Sequence, residues 1–250
     1  MLDPAHECEL PTVLLIDDDM VSREVTATLL TMSGYTVHTA ENGSGALALL
    51  ADGLLCPGVV LMDAQMPGLS GLDLVRELRA GCPAARVYIV SGSGPNPELA
   101  AGADGLLLKP FDSEALRKLL EGASPVVRSH LDPNDPVVST EILAQLRQLM
   151  PESGVREIYS AVVADLFRRI DALTIAIARR DSGEIHRIGH AIKGGCGMAG
   201  ALQAAHLGAL LEAAPAASED NHLDNSRALL RDLRTAAQAL QRMLDAELPA

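Results

Sequence analysis

Val13-Leu14-Leu15-Ile16-Asp17-Asp18-Asp19 and its counterpart Val59-Val60-Leu61-Met62-Asp63 decide the fold of the first half of the chain. Each is a short, branched apolar run that stops abruptly at an acid. Such a run is too short for a buried helix and suits a strand covered on both faces. Working outward from residues 13–17 and 59–63, similar runs recur at 36–39, 87–91 and 106–109. Helical patterns fall between them near 22–32, 44–51, 72–80, 97–101 and 113–122. This alternation predicts an α/β unit over residues 10–122, a flavodoxin-like, doubly wound five-stranded parallel sheet with strand order 2-1-3-4-5. In that order the carboxyl ends of strands 1 and 3 lie side by side and form the ligand crevice.

Residues 124–139 read SPVVRSHLDPNDPVVS, with three prolines and no sustained period, so residues 123–139 are expected to be an extended linker. Beyond it, apolar residues recur at three and four, as in Ile142, Leu146, Leu149 and Ile158, Val162, Leu166, Ile170, Leu173, Ile177. Breaks at 151–154, 181–183, 198–201 and 214–221 divide residues 140–248 into a short leading helix and four longer ones. That is the inventory of an all-α four-helix bundle.

The composition narrows the function classes. The 250 residues carry a net charge of −13, which argues against a polyanion binder, because phosphate-backbone affinity needs clustered Lys and Arg; no nucleic-acid partner is expected. No apolar run reaches the roughly 20 residues of a membrane span, and the first ten residues lack the pattern of a secretory signal, so no membrane insertion and a cytoplasmic location are expected. Cys8, Cys56, Cys82 and Cys196 have no metal-binding spacing and read as isolated reduced thiols.

Asp17, Asp18 and Asp19 end the first strand and Asp63 ends the third, which predicts converging acids at one crevice. Two carboxylates about 4 Å apart repel by roughly 4 kcal/mol at an effective dielectric near 20, so three together call for a cation. Oxygen-only ligands with partial hydration point to Mg2+. Ser91 ends the fourth strand with a hydroxyl. Lys109, among only three lysines in the chain, ends the fifth with a point charge suited to a phosphoryl oxygen. Pro110 follows it, where a cis peptide is allowed.

The segments VLLIDDD, VVLMDAQMPGLSG, VYIVSGS and GADGLLLKPF resemble the five-strand signature of response-regulator receiver domains. The resemblance implies that Asp63 is the phosphoacceptor, that Asp17, Asp18, Asp63 and the Gln65 carbonyl hold Mg2+, and that Ser91 and Lys109 bind the phosphoryl group. The chain departs from that family twice. Leu106 stands where receivers usually have Tyr or Phe, and the stretch from Ser91 to Lys109 is about one helical turn short, with Pro95 and Pro97 inside it.

In the helical half, IGHAIKGGCGMAGA places Lys193 and Gly194 three and four residues after His190, on one helix face. An imidazole can act as nucleophile, an ammonium can steady phosphoryl charge, and glycine leaves room for a partner. A turn near residues 200–201 brings positions 190 and 212 level, so Glu212 could orient the imidazole. The pattern resembles the histidine phosphotransfer (Hpt) family, which implies phosphorylation of His190 assisted by Lys193. Relatives often have Ser or Ala where this chain has Gly195 and Cys196.

Two rival motifs fail. The G-x-G-x-x-G of Gly195–Gly200 closes a helix, whereas a dinucleotide loop opens one after a strand; His186 and His190 are spaced for zinc, but Arg187 stands where a metalloprotease needs Glu. A metal-dependent phosphatase using Asp63 is disfavoured because Gln65 replaces the second acid.

The expectation is a two-component phosphorelay intermediate rather than an enzyme with its own ATP-dependent kinase domain. Its partners would be a sensor histidine kinase and other receiver-domain response regulators. The alternative is a phosphorylation-controlled adaptor whose bundle only docks a partner.

Overall fold

A computed structural model describes residues 10–51, 53–92, 97–111, 113–120, 132, 135–213 and 219–248. It contains an α/β unit and a helical unit.

The α/β unit runs β1 (Val13–Ile16), α1 (Met20–Met32), β2 (Val37–Ala40), α2 (Gly43–Ala51), β3 (Val59–Asp63), α3 (Gly71–Gly81), β4 (Arg86–Ser91), α4 (Pro97–Gly102), β5 (Gly105–Leu108) and α5 (Ser113–Leu120). The sheet order is β2-β1-β3-β4-β5, and the β1–β2, β1–β3 and β3–β4 pairs are parallel. The expected order and element sequence are therefore present, with bounds shifted by one or two residues.

Register explains why the central strands are apolar throughout. Leu14 pairs with Val60 and Val60 with Val87; Ile16 pairs with Met62 and Met62 with Ile89. These two rows belong to one buried cluster with Leu74, Val75 and Leu78 of α3. Side chains alternate along a strand, so Leu15, Leu61 and Tyr88 form a row on the opposite face. A Cβ added to Gly105 would meet Tyr88 and Leu119, so α5 covers the second face near β5. Both faces are closed, leaving the carboxyl edge of the strands as the accessible rim.

The helical unit comprises α6 (Thr140–Leu149), α7 (Glu152–Arg179), α8 (Ser182–Met198), α9 (Leu202–Ala213) and α10 (Glu219–Glu247). α7 packs on α8 and α10, and α9 packs on the same two, which closes a four-helix ring. Caps place the breaks: Ser139 Oγ accepts from Ile142 N at 3.2 Å, and Asp181 Oδ1 accepts from Glu184 N at 2.9 Å. Between α8 and α9, Gly200 takes φ 74°, and Ala201 N donates to Cys196 O at 2.8 Å, closing the first helix with a left-handed glycine.

Three expectations change or fall outside the described residues. The break at 151–154 shrinks to Pro151, because proline suits a helix start and Gly154 is carried into the first turn of α7. Tyr159, rather than Ile158, fills the bundle core at 0% exposure. Most of the expected linker, Pro95 and residues 214–218 are outside the description.

Tyr159 can be buried because its hydroxyl donates to Ala199 O at 2.9 Å, and burial raises its pKa well above the ordinary tyrosine value. Tyr159→Phe should leave that buried carbonyl unsatisfied and lower stability by about 1–3 kcal/mol. Tyr159→Ala should cost more, about 3–5 kcal/mol. Urea denaturation of both variants checks the order; a Tyr159→Phe protein as stable as wild type would show that the hydroxyl contributes nothing.

Candidate functional site

The strand ends bring one group of predicted residues to the rim of the sheet. Asp17 and Asp63 are both buried. Ile16 pairs with Met62, so Asp17 and Asp63 occupy the next step of the β1–β3 register, on neighbouring strands about 5 Å apart. Asp63 also pairs with Val90 on β4, and Ala64 N donates to Val90 O at 2.8 Å, which fixes the turn leaving β3. Gln65 N donates to Asp63 Oδ1 at 2.8 Å, which holds the carboxylate against the loop that leaves β3. The loop then turns at Gly68, φ 78°, a conformation that side-chain-bearing residues avoid. Ser91 is buried at the end of β4; Lys109 is buried directly after β5 and precedes the cis Lys109–Pro110 peptide. Four strands of the order β1-β3-β4-β5 thus end in Asp17, Asp63, Ser91 and Lys109.

The expected three-acid convergence is corrected. Among the described residues, no three His, Cys, Asp or Glu side chains form a metal-holding group. Asp18 is exposed, at the bend one residue beyond buried Asp17. Asp19 serves the helix instead: its Oδ1 accepts from Ser22 N at 2.8 Å at the start of α1. The carboxylate pair Asp17 and Asp63, with the Gln65 carbonyl on the adjacent loop, still fits Mg2+, which is commonly held by one or two carboxylates while keeping several waters.

The second site lies on α8 and α9. His190 Nδ1 is 2.8 Å from Glu212 Oε1, and Lys193 Nζ donates to Glu212 Oε2 at 2.8 Å. A carboxylate only accepts, so Nδ1 of His190 donates in this contact, and the neutral ring of that tautomer has its lone pair on Nε2. One acid therefore fixes the imidazole tautomer and neutralises the neighbouring ammonium. The predicted levelling of positions 190 and 212 is present. Sequence reasoning missed the part played by His186: its Nδ1 lies 2.8 Å from Glu212 O. Its spacing from His190 suggested only a zinc pair, because the sequence does not reveal where a backbone carbonyl will end.

Cys56, Cys82 and Cys196 are free thiols, and burial pushes the Cys196 thiol up to about 12. No described helix is long and apolar enough to cross a membrane.

The response regulator receiver domain family matches residues 13–121, and the Hpt domain family matches residues 139–246. The transcriptional regulatory protein FixJ of Rhizobium meliloti is 31% identical over 184 residues, covering 70% of this chain and 85% of that protein. The sensor histidine kinase AruS of Pseudomonas aeruginosa is 29% identical over 251 residues, covering 96% of this chain and 24% of the kinase. A cyclic di-GMP phosphodiesterase of Thermotoga maritima is 29% identical over 180 residues, 70% of this chain, and this chain spans 46% of that protein's length. Among solved structures, the chemotaxis protein CheY4 of Vibrio cholerae has 29% identity and a TM-score of 0.41, covering 45% of this chain and 97% of its own. The chain belongs to the response-regulator receiver family and carries an Hpt domain in the same polypeptide, an arrangement that supports a phosphorelay-type signalling role.

Proposed function

We propose that the chain is a phosphorelay intermediate in which a receiver domain, residues 10–122, accepts a phosphoryl group on Asp63. A linker, residues 123–139, joins it to a phosphotransfer domain, residues 140–248, that carries a phosphoryl group on His190 for exchange with receivers. The partners are a sensor histidine kinase and other receiver-domain response regulators. The observation that carries this reading is the Glu212–His190–Lys193 constellation, which presents an imidazole with its Nε2 lone pair free of the carboxylate.

In the receiver, the Asp63 carboxylate attacks the phosphorus of a phosphohistidine. The new P–O bond forms as the P–N bond breaks, and the departing nitrogen keeps the electron pair. Asp17, Asp63 and the Gln65 carbonyl are the residues that would hold Mg2+; when bound, the ion supplies positive charge for the phosphoryl oxygens. Lys109 and Ser91 are placed to neutralise and hydrogen-bond those oxygens.

On the bundle, the Nε2 lone pair of His190 attacks the phosphorus of an acyl phosphate on a partner receiver, and the aspartyl oxygen leaves with the electron pair. The ring becomes positive as the N–P bond forms. Glu212 stabilises that charge through Nδ1–H, and Lys193 lies beside the incoming phosphoryl group.

Labelling the full chain with radioactive acetyl phosphate and, separately, with a phosphorylated partner receiver tests both halves. An alkali-labile label at Asp63 and an alkali-stable, acid-labile label at His190 are expected. Absence of alkali-stable, acid-labile label in the presence of phosphorylated receivers of the source organism would leave a docking adaptor as the surviving reading.

A further inference from the structure

α8 and α9 meet at two facing glycines. A Cβ on Gly189 would lie 2.6 Å from Glu212 N, 2.8 Å from Leu211 Cβ and 2.9 Å from Gly208 O. A Cβ on Gly208 would lie 2.6 Å from Lys193 N, 2.9 Å from Gly189 O and 2.9 Å from Ile192 Cγ2. Most of these atoms belong to backbone, which cannot swing aside as a flexible side-chain end can, so a methyl at either position must push the helices apart. Both glycines lie inside helices, where glycine is among the least favoured residues. The close crossing is therefore kept against local preference.

The crossing stands at the level of the phosphotransfer constellation. Gly189 immediately precedes His190, and Gly208 lies one turn before Glu212. From α8, three side chains on one face hold Glu212: Lys193 and His190 each reach its carboxylate at 2.8 Å, and His186 reaches its carbonyl at 2.8 Å. That carbonyl lies in the last turn of α9, and His186 Nδ1–H donates to it from α8.

We infer that Gly189 and Gly208 are positioning residues for His190, acting through Glu212, with His186 clamping the end of α9. The inference rests on the reading of His190 as phosphoacceptor. Its physical basis is distance: moving α9 outward by about 1 Å would carry a 2.8 Å contact beyond hydrogen-bond range and release the imidazole tautomer, while the bundle core stays packed. Misplacement of that size commonly slows a positioned reaction by about a hundredfold.

The test uses the full chain and two readouts, the 15N chemical shifts of the His190 ring and the rate of phosphoryl transfer from a phosphorylated partner receiver. Wild type should show the Nδ1–H tautomer. Gly208→Ala should show mixed tautomers and transfer slowed roughly tenfold to a hundredfold. In a Glu212→Ala background, which removes the acceptor, adding Gly208→Ala should change the rate less than about twofold, because neighbours acting through one group are not additive. Should Gly208→Ala fail to fold, His186→Leu, at an exposed position, is expected to shift the tautomer in the same direction, and His186→Gln, which retains a donor, to recover most of the loss. An unchanged tautomer in Gly208→Ala or His186→Leu, or fully additive rate losses with Glu212→Ala, overturns the inference. Because the tautomer is read without transfer, it separates failure of the positioning idea from failure of the phosphoacceptor assignment.

Discussion

His190→Gln is expected to abolish phosphoryl exchange with partner receivers, by at least about a thousandfold, while labelling of Asp63 by acetyl phosphate stays intact. The size follows from what is removed. A glutamine amide nitrogen is conjugated with its carbonyl and offers no lone pair comparable to imidazole Nε2, and loss of a covalent nucleophile is among the largest effects a substitution produces. Glu212 would remain beside Lys193, so the bundle keeps an ion pair at that point. Circular dichroism should match wild type. Glu212→Gln should be milder, since an amide can still accept from Nδ1–H but cannot neutralise a developing imidazolium. Retained exchange in His190→Gln would move the phosphoacceptor to another histidine, with exposed His186 as the next to test.

The rim of the sheet was legible because its chemistry coincides with a change of residue class. Val59–Asp63 and the approach to Ser91 are apolar until the last residue, so strand and site end together. Glu212 was legible by counting outward from the turn at Gly200. Three kinds of information were not. Runs of acids do not say which member will cap a helix, and Asp19 does so while Asp17 is buried at the sheet edge. A helical apolar period does not distinguish Ile158 from Tyr159, because the choice depends on a carbonyl forty residues away that satisfies the hydroxyl. The meeting of Gly189 with Gly208 depends on helix crossing, which a single sequence does not encode locally. The departures from the receiver pattern did carry over: α4 has only six residues, and Leu106 packs against the sheet core. An aliphatic side chain there cannot provide an aromatic ring that moves between buried and exposed positions.

Asp63→Asn is expected to remove all labelling by acetyl phosphate in the α/β unit, and chelation of divalent cations should reduce wild-type labelling by at least about a hundredfold. Asp17 and Asp63 end adjacent strands about 5 Å apart, so their mutual repulsion is about 3 kcal/mol at an effective dielectric near 20. A phosphodonor brings further negative charge to the same rim. Lys109 is one positive charge against two carboxylates and a phosphoryl group, so the rim remains net negative without a cation. Asp17→Asn separates the two contributions. It removes one charge, so the metal-free protein should gain stability by up to about 3 kcal/mol, but the Mg2+ concentration needed for half-maximal labelling should rise at least about tenfold. Denaturation in chelator and a Mg2+ titration of the labelling rate measure the two effects on the same variant. Full labelling of wild type in chelator, or equal labelling of Asp63→Asn, would contradict the assignment. An Asp17→Asn protein with unchanged stability and unchanged Mg2+ dependence would show that the two carboxylates do not share one ion.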